Sequence, residues 1–241
     1  MLKKIDSLLA RIQKRRPLSQ GEKRELQKAL LVEFTYNSNA IEGNTLTRSE
    51  TKIVLEDGLT IGGKTIRELD ETRNHGKCFE YLEKFLAEKK EIDEQVILDL
   101  HALVLRSIDD ENAGKYRSIQ VFISGDNKLP PKSSEISKEM QNFLAWYIKN
   151  KDILHPVELA AKFHYKLVKI HPFIDGNGRL VRLCINLILM SKGYPMIIIP
   201  MVRRAEYISS LNSSQDYHIF EKYFQDIVLV NLQDYVRMIE A

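Results

Sequence analysis

His171-Pro172-Phe173-Ile174-Asp175-Gly176-Asn177-Gly178-Arg179-Leu180-Val181-Arg182 is the stretch whose reading decides the rest of the chain. It leaves one helical pattern through a proline, crosses a glycine-rich turn and enters a strongly apolar helical run. Gly176 and Gly178 permit a tight turn and a close approach of backbone to ligand. A helix beginning just after them points free N–H groups and the positive end of its dipole at an anion. Arg179 and Arg182, three apart, share a helical face and can hold phosphate oxygens together. Asp175 can carry a magnesium ion, which takes one or two carboxylates and leaves its other positions to phosphate and water. His171 titrates near neutrality and can accept a proton. For the turn alone a plain connection is the competing reading, since Asp-Gly and Asn-Gly are ordinary turn signals. The stretch lacks the Gly-Lys-Ser/Thr of a P-loop.

Outward from there, the 241 residues are 44% hydrophobic and 29% charged, a globular balance able to bury a core. No apolar run reaches the roughly twenty residues of a membrane span. The N-terminus lacks a secretory apolar region and cleavage site. Cys78 and Cys184 sit in helical patterns and read as small buried hydrophobes, so a reducing cytoplasm is expected. The net charge is +3, with nine Lys/Arg against three Asp/Glu in residues 1–30. That basic arm reads as the solvated face of a helix; no nucleic-acid-reading motif accompanies it, so nucleic acid is not an expected partner. A zinc pair of His171 and Asp175 lacks third and fourth ligands at suitable spacing.

Helical spacing recurs along nearly the whole chain. Leu2, Ile5, Leu8, Leu9 and Ile12 mark a first helix that Pro17 ends, and Ser19 with Glu22 caps a second through about residue 36. Thr47 with Glu50 caps a third to about 56, and further helices are expected over 67–88, 93–107 and 134–149. Pro156 opens the helix that delivers His171, and the apolar run 180–192 reads as a central buried helix closed by Gly193. Two more helices follow, near 203–213 and 217–239. His75, His101 and His164 read as packed helical residues, with His164 on the face that supports His171. Phe143, Trp146 and Tyr147 read as core. One β signal interrupts: Ile119, Val121 and Ile123 alternate, and Ser124-Gly125-Asp126-Asn127 forms a hairpin turn. An extended partner segment could add to the hairpin's edge. The expected architecture is an all-α bundle with a single β-hairpin.

Taken whole, the stretch 171–182 resembles the Fic signature, His-Pro-Phe-x-x-Gly-Asn-Gly-Arg-x-x-Arg, with every fixed position filled. Gly114-Lys115-Tyr116-Arg117 and Pro130-Pro131 around the hairpin, Ala160-Ala161 with His164, and Gly193-Tyr194-Pro195 are also similar to that family's pattern, over about residues 70–215. Ser38 to Gly43 resembles its inhibitory motif, Ser/Thr-x-x-x-Glu-Gly/Asn. The resemblance implies a Fic-type helical bundle whose hairpin is a target-binding flap (Ile123, Ser124, Gly125, Asp126, Asn127). Residues 1–66 would carry the inhibitory motif and 67–241 the catalytic core, as one compact unit. It implies transfer of AMP from ATP, with Mg2+, to a Ser, Thr or Tyr hydroxyl of a target protein, including the chain itself. His171 would be the base. Asp175, Gly176, Asn177, Gly178, Arg179, Arg182 and Tyr207 would bind ATP, Asp175 also the metal, and Glu42 with Ser38 would hold the enzyme back. Gln215 stands where the family places an Asn near the adenosine. AMP removal, transfer of another phosphate-containing group and a non-catalytic binding module are the alternatives, and self-association stays open.

Overall fold

The structure is a computed structural model that describes residues 1–15, 18–123, 126, 128–212 and 216–240. Helices succeed one another as α1 (Leu2–Lys14), α2 (Gln20–Ile41), α3 (Arg48–Glu56), α4 (Ile66–Ala87), α5 (Glu94–Leu105), α6 (Ile136–Asn150), α7 (Pro156–Ile170), α8 (Asn177–Ser191), α9 (Arg204–Ser210) and α10 (Tyr217–Glu240). Short 3-10 turns at Ser133–Glu135 and Met201–Arg203 lead into α6 and α9. Capping boxes start α2 (Ser19/Glu22), α3 (Thr47/Glu50) and α4 (Thr65/Glu68), and the Asp93 side chain caps α5. Each cap satisfies amides that a helix start leaves open, worth about 1 kcal/mol.

The apolar run predicted for 180–192 becomes α8, the axis of the bundle. Leu180, Val181, Leu183, Cys184, Ile185, Leu187, Ile188 and Leu189 are all buried, so every face of this helix meets protein. It packs on α7, α5, α4 and α2, and α10 closes over α7. One hydrophobic cluster runs from Ile5 of α1 through Phe34 and Ile41 of α2 to Leu232 of α10. Within α8 the polar Asn186 is satisfied: its side chain donates to the carbonyls of Arg182 and Ile197 and accepts from the Ile197 amide. The basic arm lies as α1 against α10, with Ile5 fully buried and Arg11 paired to Glu240.

Three expectations change. Helix α2 continues past residue 36 to Ile41, because Asn37, Ser38, Asn39 and Ala40 are buried at its end, which places Ser38 and Glu42 on its last turn and C-cap. Among the described residues no strand forms at 116–129, so the hairpin lacks a hydrogen-bonded ladder. Its arms are joined by side chains instead: Gln120 Nε2 donates to the Pro130 carbonyl, and Arg117 donates to the carbonyls of Ile119 and Pro131. The Asp126 amide donates to the Ile123 carbonyl at 3.1 Å. Ser124, Gly125 and Asn127 lie outside the described residues, as does Gln215. Trp146 is only half-buried, at the edge rather than in the core. No helix among the described residues is long and apolar enough to cross a membrane.

Candidate active site

His171 ends α7 in the left-handed region (φ 49°, ψ 59°), a conformation a non-glycine residue seldom adopts without outside support. Buried Arg117 supplies that support. Its Nε donates to the His171 carbonyl at 2.8 Å and its backbone N–H to the Pro172 carbonyl at 2.9 Å. The same guanidinium reaches both arms of the flap, so histidine turn and flap are set by one residue. Burial pushes the His171 imidazole below its usual value, opposed by the Val168 carbonyl, and the neutral ring can accept a proton.

The turn behind it is held from within. Asn177 Oδ1 accepts from the Phe173 amide and Asn177 Nδ2 donates to the Phe173 carbonyl, as expected for a residue that fixes the loop. His101 stacks on Phe173 at 3.6 Å between ring centroids. Its Nδ1 accepts the Gly114 amide at 3.0 Å, so the proton sits on Nε2, which donates to the Asp175 carbonyl at 2.9 Å. Burial lowers His101 to about 4, in keeping with that neutral tautomer.

Gly176 (φ 76°) caps α8, and the amides of Asn177, Gly178 and Arg179 carry no hydrogen bond to protein among the described residues. An anion stands beside Gly178. A Cβ built on Gly178 would stand 2.1 Å from Glu42 Oε1 and 3.0 Å from Arg182 Nη1. The Glu42 carboxylate therefore lies directly over the start of α8, where the dipole favours negative charge. Arg182, buried at 2% exposure, donates from Nη2 to Glu42 Oε1 at 2.7 Å and to the Ser38 carbonyl at 2.8 Å. Its Nε donates to Ser38 Oγ at 2.9 Å, while Nη1 is buried without a partner.

The shared face expected for Arg179 and Arg182 is not what forms. Arg179, also buried, turns to Glu71 of α4 (3.2 Å) and Asp175 (3.4 Å), so its charge shapes the acidic side of the site and only its amide looks toward the anion position. Asp175 Oδ1 accepts from the Gly176 amide at 2.6 Å, and its Oδ2 accepts from Arg67 Nη2 at 2.5 Å. Burial alone would raise this carboxyl, but Arg179, the Gly176 amide and Arg67 together hold it below the usual range. Tyr207 is buried beside Arg182 with its hydroxyl hydrogen-bonded to His164 at 2.7 Å. It braces Arg182 from behind and presents no open face to a nucleoside. His164 packs on Tyr207 and Phe220, not on His171 as its spacing suggests. Arg67, Glu71 and His101 carry no local pattern that places them at the site before folding, and Arg117, though part of the 114–117 pattern beside the flap, gave no sign that it would hold the His171 carbonyl. On the flap, Asp126 pairs with Lys169 at 2.7 Å, and Phe122, Ile119 and Leu129 are exposed.

The Fic/DOC family profile matches residues 91–189, which span α5 to α8 and include the whole signature. Fic-1 of C. elegans, solved over residues 134–508 of that protein, is 32% identical and superposes with a TM-score of 0.86, covering 98% of this chain and 70% of that one. The chain belongs to the Fic/DOC family. A Fic-domain signaling protein from Bacteroides thetaiotaomicron superposes at a TM-score of 0.88 with 29% identity, covering 98% of this chain and 96% of that one. Among curated Fic relatives, protein adenylyltransferase Fic from Nematostella vectensis is 42% identical over 196 residues, 80% of this chain and 45% of the relative. The Drosophila melanogaster protein of the same name is 38% identical over 199 residues, 82% of this chain and 40% of the relative. The chain thus spans less than half the length of the two curated relatives.

Proposed function

We propose that this chain is a protein adenylyltransferase, moving AMP from ATP to a hydroxyl side chain of a protein, itself included, and held back by Glu42. The relatives named protein adenylyltransferase support the reaction class. The single observation that carries the regulated reading is the Glu42 carboxylate seated over Gly178 and bonded to Arg182. On this reading the unpartnered amides and the buried Arg182 guanidinium form an anion site, part of which the Glu42 carboxylate takes.

In the proposed reaction, the neutral His171 imidazole takes the proton of the incoming hydroxyl. The hydroxyl oxygen bonds to the α-phosphorus as the bond from that phosphorus to the bridging oxygen breaks, and pyrophosphate leaves with the electron pair. The amides of Asn177, Gly178 and Arg179 stabilise charge on the phosphate oxygens without moving. Arg182, with its unpaired Nη1, holds the terminal phosphate once Glu42 withdraws. Asn177, Arg117 and His101 keep the loop in place.

Mg2+ fits as a nucleotide-borne ion. Asp175 supplies one carboxylate oxygen at the site's rim, and a single carboxylate suffices when phosphates and water complete the shell. No cluster of three or more His, Cys, Asp or Glu exists among the described residues. When bound, it would neutralise phosphate charge. The ATP and the metal, the target protein engaged at the flap and a cytoplasmic setting all belong to this proposal.

Mass spectrometry of the full chain, its Glu42→Gly form and the Glu42→Gly/His171→Ala form after incubation with ATP and magnesium tests it. One AMP added to a hydroxyl residue of the first two, more in Glu42→Gly and absent without His171, is the expected result. No AMP on any form, or equal labelling without His171, removes the assignment.

A further inference from the structure

The carboxylate expected to meet magnesium is not free. Arg67, on the first turn of α4, donates from Nη2 to Asp175 Oδ2 at 2.5 Å and stands 3.2 Å from Glu71 through Nε. Glu71 in turn faces Arg179, which lies 3.4 Å from Asp175 Oδ1. Four charged groups thus close a ring: two cations, two anions. The two arginines differ in one respect that matters. Arg179 is buried and reaches the inner oxygen, whereas the Arg67 side chain is 55% exposed and reaches the outer one.

Oδ1 accepts the Gly176 amide at 2.6 Å and belongs to the turn, so Oδ2 is the oxygen a cation arriving with nucleotide can take without disturbing the loop. There the Arg67 guanidinium is already in place. We infer that Arg67 is an internal counter-ion competing with the nucleotide-borne divalent cation for Asp175, which the metal must displace on binding. This rests on the reading that Asp175 takes the metal. Displacement is feasible because Arg67 is anchored on one side by Glu71 and open to solvent on the other, so it can leave Asp175 and keep a partner. It acts on metal loading and touches no reacting atom; it is a positioning residue.

A half-exposed ion pair is a weak competitor, so the effect should be modest and specific to the metal. The measured quantity is the ratio of the Kd of α,β-methylene-ATP in EDTA to its Kd in saturating Mg2+, by calorimetry on the full chain. Arg67→Gln keeps length and hydrogen bonding and removes the charge. This variant should raise the ratio about fivefold, with Arg67→Lys near wild type. A merely structural role for Arg67 would weaken binding equally with and without metal and leave the ratio unchanged. An unchanged or lower ratio in a folded Arg67→Gln protein overturns the competition. Asp175→Asn distinguishes the underlying reading: it should bring the wild-type ratio close to one. If that variant retains the wild-type ratio, the metal does not use Asp175, and both the reading and the competition fall.

Discussion

Arg182 Nη2 and Glu42 Oε1 lie 2.7 Å apart although 140 residues separate them in the chain. The pair joins the end of α2 to the second turn of α8 and sets an internal anion against Gly178, whose amide has no protein partner. Ser38, one turn before Glu42, holds the same guanidinium through both its hydroxyl and its carbonyl.

Ser38→Ala should therefore loosen Arg182 without removing the blocking carboxylate. A buried charged donor left without its acceptor costs about 1–3 kcal/mol. Self-labelling with α-phosphate-labelled ATP should rise in Ser38→Ala, but less than in Glu42→Gly, and the melting temperature should drop. A fall in labelling would mean that Ser38 holds Arg182 in its working position.

Gly178→Ala offers a sharper test of the anion site. Its Cβ would lie 2.1 Å from Glu42 Oε1 and 3.0 Å from Arg182 Nη1, so it crowds both the blocker and the ligand it excludes. The Glu42 tip can shift aside, so the methyl acts on the ligand that takes its place, and ATP affinity should fall roughly tenfold, about 1.4 kcal/mol. Adding Glu42→Gly should not restore binding in calorimetry. Wild-type affinity in the double variant would show that phosphate lies elsewhere.

The His171 base works only when deprotonated. Burial lowers its pKa below 6.5, so kcat/KM should stay flat through pH 7 and fall on the acid side, below the ordinary histidine value. His171→Ala should lose about a hundred- to ten-thousandfold in rate. An acid limb centred above pH 6.5 would contradict the burial argument.

Three other histidines tie stability to pH. Burial lowers His75 and His164 to about 3 and His101 to about 4. Between those values and 6.5 the unfolded chain binds protons that the folded chain refuses, so stability rises with pH across that window and is lost on acidification. At pH 5.5, one unit below the unfolded value, each histidine forfeits on the order of 1 kcal/mol relative to neutral pH, a few kcal/mol for the three. Urea titrations at pH 7.5 and 5.5 read this directly, and His75→Gln should reduce the difference by about a third.

Ile123→Pro addresses the flap. If a target segment pairs with the exposed edge there, a proline removes an amide needed for pairing. Modification of a target protein should fall several-fold more than ATP affinity, which the remote α8 amides set. Equal losses in both would mean that the flap serves the nucleotide.

Much of the site was legible because it is contiguous. Residues 171–182 carry histidine, carboxylate, glycines and arginines within one loop and one helix turn, and the apolar run after them announces burial. Capping boxes at Ser19 and Thr47 fixed two helix starts through local hydrogen bonds alone, while the box at Thr65 emerged only in the structure. The flap misled, since alternation of Ile119, Val121 and Ile123 favours an extended chain but cannot decide whether two arms share a ladder. Glu42 could be placed near Arg182 only by resemblance, because helical periodicity says nothing of which helix ends meet.

Local signals sufficed for the helical elements and the chemistry of the 171–182 loop, because caps, periodicity and glycine turns act over a few residues. Tertiary structure alone decided that Arg179 faces Glu71 while Arg182 faces Glu42, and that Arg117 and His101 brace the loop. It also set Arg67 on Asp175. Those partners come from α2, α4, α5 and the flap, and only packing around the buried α8 brings their charges within hydrogen-bonding distance.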